Sequence, residues 1–143
     1  MAVDGAGRVV FVGARHTSDE GGGGGGGACG ACVLLLDMDS GELLARVAVP
    51  RAADMDDVHW DARRQRLYVA GGAGAVSVLG CVAGRTRSGR RWQVLADVPT
   101  SLGARTALWY PERDSLYVAA PETGDSPARL LVFQGCSNSN PNS

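Results

Sequence analysis

The sequence predicts an all-β protein built of repeated blade-like units, each a four-stranded antiparallel meander. Three observations carry that prediction. First, residues 50–70, PRAADMDDVHWDARRQRLYVA, align without a gap with residues 99–119, PTSLGARTALWYPERDSLYVA, at an offset of 49. Pro50 matches Pro99, Trp60 matches Trp109, Arg64 matches Arg113, and Leu67–Ala70 matches Leu116–Ala119. Second, each copy alternates compact β-branched or aromatic runs with Gly-, Pro- and Asp-bearing turns, which is the grammar of strands about five residues long. Third, four such runs fit in a unit of about 50 residues, the period of a β-propeller blade. No stretch shows a sustained helical period with caps.

The units follow one another along residues 1–134. A degenerate first copy (about 2–53) begins inside its innermost strand, and VDGAGRVVFVGA aligns with WDARRQRLYVAG, pairing Asp4 with Asp61 and Phe11 with Tyr68. Its later strands are VLLLD and ELLARVAVP. The second copy (about 54–98) is complete: a segment ending at Trp60, the turn DARRQ, then RLYVA, AVSVL and WQVLADVP. The third (about 99–134) has a segment ending at Trp109, the turn YPERD, then SLYVA and RLLVF, and lacks an outer strand. Runs such as VLLLD and RVVFV are apolar nearly throughout, which suits sheets covered on both faces. The recurring Trp60, Trp109, Tyr68 and Tyr117 are expected to pack in the core.

In an up-and-down meander the first and third turns lie on one side and the second loop and the crossover on the other. DARRQR, YPERDS, MDSG and CVAGRTRSGRR therefore share one side. RHTSDEGGGGGGGACGA, GGAGA, PETGDSPA, RAADMDD and TSLGART share the other, where glycine, length variation and the acidic cluster concentrate. Loops held by a rigid scaffold are the usual carriers of function, so a protein or small-molecule partner is expected on this second side.

The stretch GARTALWYPERDSLYVAAP resembles the YVTN-type β-propeller repeats of bacterial-style proteins, and the resemblance covers residues 2–134. It implies a propeller fold and leaves activity open, since that family includes many members of unknown function. A propeller closes with about 4–8 blades, whereas two and a half to three are present. An open wedge exposes sheet faces and edges. The missing blades are thus expected from the rest of a longer chain, the preferred reading, or from oligomerisation.

Composition bounds the alternatives. Fourteen basic against 15 acidic residues give no global electrostatic case for nucleic acid or an anionic membrane. No apolar run approaches the ~18 residues of a membrane span, and MAVDGAGRVV lacks the features of a signal peptide. The chain is expected to be soluble, with its location left open by a fragment's start. Lys and Ile are absent and all three Asn lie in the last six residues, a bias that points to a GC-rich genome. Residues 135–143 break that bias and read as a disordered tail or a vector or gene-boundary artefact.

The chemistry-bearing residues are few. Asp54, Asp56, Asp57 and His59, in DMDDVH, combine hard oxygen ligands with an imidazole that could hold a divalent cation at the channel mouth. Their spacing matches no calcium loop. Asp56 aligns with Arg105, so an ion pair between neighbouring units is an equally natural use, and His59, aligned with Leu108, is expected to face inward. Arg105 and Thr106 occupy the same channel-mouth position one unit later, where Arg could grip a carboxylate or phosphate or bond between blades. GRTRSGRR (Arg85, Arg87, Arg90, Arg91) reads as a solvated hairpin. Cys29 and Cys32 form a Cys-x-x-Cys pair without a following helix, and His16 adds no fourth ligand. Aligning Val33 with Val76 puts Cys32 at the start of a third strand and makes residues 15–31 a glycine-rich insertion. No cofactor is implied beyond the possible cation. Two functions stand: a non-catalytic binding or scaffolding module, or a propeller hydrolase or lactonase using Asp54, Asp56 or Asp57 as base.

Overall fold

The computed structural model describes residues 1–14, 30–83 and 90–135. Among the described residues eleven strands form three antiparallel sheets, each a simple meander, and the fold is all-β with blade-like units, consistent with an incomplete propeller-like arrangement. The first sheet holds β1 (Ala2–Asp4), β2 (Val9–Ala14), β3 (Cys32–Asp37) and β4 (Leu43–Ala48). The second holds β5 (Met55–Asp61), β6 (Arg66–Gly71), β7 (Ala75–Ala83) and β8 (Arg90–Pro99). The third holds β9 (Thr106–Tyr110), β10 (Ser115–Ala120) and β11 (Arg129–Gln134). The helical turns among the described residues are two single 3₁₀ turns, Pro50–Ala52 and Pro111–Arg113, each opened by a proline. No helix among the described residues is long and apolar enough to cross a membrane.

The middle sheet shows why its strands are apolar at successive positions. On β6, Leu67 and Val69 pack into a core with Phe11, Val33, Leu35 and Val47 of the first sheet. The intervening Tyr68 and Ala70 face the other way, onto Trp109, Leu116 and Val118 of the third sheet. Period-two alternation with both faces covered makes both sets of positions along β6 apolar, and a polar residue buried in this sheet, such as Ser77, needs a partner, here Asp97. Each such Val, Leu or Phe removed from water contributes roughly 1.5–3 kcal/mol. Strand β8 serves both cores because its ladder with β7 shifts register between Val78 and Leu79. That bulge turns Trp92 and Val94 towards the first sheet and Val98 towards the third.

The first turn of each unit is built alike. Arg8, Gln65 and Asp114 adopt φ of 54°, 55° and 54°, at equivalent positions of the three turns. A left-handed residue there closes a tight reversal at some steric cost. Asp61 supports its turn by accepting from the backbone N of Arg63 (3.0 Å) and Arg64 (3.2 Å). In the third unit Tyr110 stands where the other two have Asp4 and Asp61, and the Pro111–Arg113 turn substitutes, with Asp114 N donating to Pro111 O at 3.1 Å. The Asp37 carboxylate caps the β3–β4 turn in the same fashion, and bonds from Ser40 hold it below the usual carboxylate range.

Two expectations need correction. Tyr117 is not packed in a core of the described residues: alternation puts it, partly buried, on the face of the third sheet turned away from the second, beside Leu108 and Leu130. Strands β7 and β8 run for 9 and 10 residues, not about five, because their pairing continues outward past the bulge. The glycine-rich stretch 15–29 with His16 and Cys29, the arginines Arg85 and Arg87, and residues 136–143 lie outside the described residues. Cys32 is buried as the first residue of β3, equivalent to Ala75 at the start of β7.

Candidate functional site between the second and third sheets

The acidic residues of DMDDVH and the arginine of GARTALW meet where the inner strands β5 and β9 lie side by side. Asp54 adopts φ 55° just before β5, and its Oδ2 accepts from Arg105 Nη1 at 2.7 Å. Arg105 Nε lies 2.9 Å from Asp56 Oδ2, so one guanidinium bridges two carboxylates. This is the ion pair between units that the repeat alignment suggested for Asp56 and Arg105. The two aspartates raise the Arg105 pKa, with the Asp54 hydrogen bond the larger cause.

Asp57 and His59 also reach the third unit, two residues further on, at Ala107. Asp57 Oδ2 accepts from the backbone N of Ala107 at 2.8 Å. His59 Nε2 lies 3.0 Å from the Ala107 carbonyl O, and since a carbonyl can only accept, Nε2 carries the proton. Two side chains of β5 thus hold both polar groups of one residue on the inner edge of β9. They do what a neighbouring strand would do for an unpaired edge. Thr106 opens β9 opposite Ala119, exposed on the outward face of the third sheet. The structure therefore joins Asp54, Asp56 and Arg105 in one cluster and Asp57 and His59 in a second, with Thr106 apart from both.

The loop side around this site is stitched by backbone bonds. Gly72 N donates to Asp54 O (3.0 Å), Ala73 N to Ala53 O (3.1 Å), Thr100 N to Gly74 O (2.9 Å) and Gly103 N to Gly72 O (2.7 Å). Gly71 is required there, because a Cβ on it would collide with the backbone of Ala52. Among the described residues no group of three or more His, Cys, Asp or Glu side chains is placed to hold a metal ion.

A second polar network, on the opposite side, escaped the sequence reading. Arg64 forms a two-pronged ion pair with Asp114 of the next turn and donates to Asp61 Oδ2 at 3.1 Å. Tyr68 Oη donates to the same oxygen at 3.2 Å. The Asp114 bonds push the Arg64 pKa up, and Arg64 in turn holds Asp114 below the usual carboxylate range. Burial, then the Asp61 charge, pushes the Tyr68 phenol up to about 12. The alignment matched Arg64 with Arg113 and so directed attention to like residues. The signal was the unlike pair, a cation in one turn and an acid one position further along the next.

No family model matches the chain, and no curated protein is significantly similar to it.

Proposed function

We propose that this chain is a non-catalytic binding module that presents its loop-rich side to a protein or small-molecule partner, within a β-propeller of the YVTN-repeat kind. The observation that carries the proposal is Leu102, 71% exposed at the tip of the β8–β9 crossover. An apolar side chain held out on a backbone fixed by the Gly103–Gly72 bond and by Ala104 N donating to Ser101 O (3.0 Å) is preorganised for contact. The charged groups beside it support the same reading, since Asp54 and Asp56 are engaged by Arg105 and Asp57 by a backbone amide.

The test is a photo-crosslinking residue at position 102, with position 112 on the opposite side as control, in cells that express the protein. A discrete adduct from position 102 alone is expected. Equal labelling from both positions would overturn the proposal. So would a tightly held divalent ion together with ester or lactone hydrolysis that Asp56→Asn abolishes, which would instead establish the hydrolase.

A further inference from the structure

The outermost strands of the first two units, β4 and β8, belong to separate sheets and leave a groove of about 760 Å³ between them. Val9, Leu35, Val47, Trp92 and Val94 form its floor, the outer margin of the first inter-sheet core. Five consecutive residues of β4, Leu44–Ala48, border it. Side chains alternate between the two faces of a strand, so an unbroken run means that the main-chain edge of β4 faces the groove. β4 is the fourth strand of its meander, and the chain runs on from it through described residues into β5. The repeat therefore calls for no further strand at this edge.

The register shows which groups the edge offers. Val49 N donates to Ala31 O at 2.9 Å, which makes Ala31 and Val49 a hydrogen-bonded pair. Counting back along the ladder, Val33–Val47 and Leu35–Ala45 are bonded pairs, whereas Cys32–Ala48 and Leu34–Arg46 are not. The N–H and C=O groups of Arg46 and Ala48 thus point outward, and none of the described residues pairs with them. Beyond Ala45 the ladder shifts at a bulge, which bounds the open edge at that end. Charge sets the sign of a partner. Arg91 borders the groove, and Arg51 lines a smaller cavity that continues it past Pro50 and Asp97. Neither arginine has an ion-pair partner among the described residues. Asp97, the carboxylate that borders both cavities, already accepts from the buried Ser77 hydroxyl at 2.5 Å.

We propose that this groove is a docking site for an extended acidic segment of a partner protein. The segment adds to the β4 edge, seats an apolar side chain against Trp92 and Val94, and sets its carboxylates toward Arg91 and Arg51. Main-chain bonds to Arg46 and Ala48 give affinity, and the apolar floor with the two guanidiniums gives selectivity. The site is on the outer rim and does not rest on the loop-side reading.

The probe is a display library of random decapeptides selected on the full chain, with the enriched peptide then titrated by calorimetry and amide exchange read in parallel. Enrichment of Asp or Glu around an aliphatic or aromatic residue is expected. Binding should slow exchange of the Arg46 and Ala48 amides and leave those of Ala45 and Val47, already bonded to β3, unchanged. N-methylation of alternate peptide amides should weaken binding at least tenfold in one phase and little in the other, because strand addition uses every second amide. Arg91→Glu, an exposed substitution, should weaken it at least tenfold. The proposal is overturned if no peptide is enriched, if both N-methyl phases bind alike, if protection appears elsewhere, or if Arg91→Glu changes nothing. It is also overturned if the Arg46 and Ala48 amides already exchange slowly in the free chain, or if sedimentation shows a dimer that protects them. The edge would then belong to the chain itself or to a second copy.

Discussion

The clamp on Ala107 makes a quantitative prediction. Asp57→Ala removes a charged acceptor lying 2.8 Å from a backbone N–H that the β9–β10 ladder leaves facing β5. A hydrogen bond to a charged group contributes about 1.5–3 kcal/mol, and a part-buried amide left without a partner costs within the same range. Water reaches this half-exposed edge and recovers some of the loss, so we expect destabilisation of about 2 kcal/mol, roughly a 30-fold change in the folding equilibrium. His59→Ala removes a neutral bond and is expected to cost about 1 kcal/mol. The two grip the same residue, so the double variant should cost less than their sum. In a stack of repeats, loosening one interface lowers the stability of the units on either side separately. Urea unfolding followed by tryptophan fluorescence measures the total, and amide exchange at Ala107 reads the local effect. Stability within ~0.5 kcal/mol of the parent, the scatter expected of an ordinary surface substitution, together with unchanged exchange at Ala107, would refute the clamp.

Two further outcomes follow from the same geometry. Tyr68 titrates late: a phenol whose folded pKa is about 12 contributes stability present below its unfolded value near 10 and lost as pH rises through about 12. Phenolate absorbance should show a step near pH 12 that Tyr68→Phe removes, and its persistence in that variant would place the step elsewhere. Gly71→Ala should destabilise by about 3 kcal/mol, the upper range for forced overpacking, because the collision is with the Ala52 backbone and no rotamer relieves it. Gly13→Ala, which meets the flexible end of Met55 with the thioether sulfur at 2.7 Å, is the milder control in the same melting experiment.

The sequence by itself determined the all-β class and the meander. Strand period, turn residues and the repeat offset are local properties, written in the order of the side chains, and Cys32 falls at the head of β3 as the alignment with Ala75 requires. It also suggested the Asp56–Arg105 pair, since residues one repeat apart become neighbours when units stack. Tertiary structure alone decided which face of each strand meets which neighbour. Tyr68 and Tyr117 are the same residue in the same place of two units, yet one lies against Trp109 and the other on an open face. The difference is that a described sheet packs on the Tyr68 face, whereas none of the described residues forms a sheet over the Tyr117 face. Likewise the string offers Asp57 and His59 as cation ligands beside Asp54 and Asp56, and nothing in it points to a shared grip on one backbone residue. Their role depends on the inner edge of β9 arriving within 3.0 Å. A hydrogen bond to another unit's backbone leaves no trace in residue types, because every residue but proline offers that N–H, and so only the packed chain reveals it.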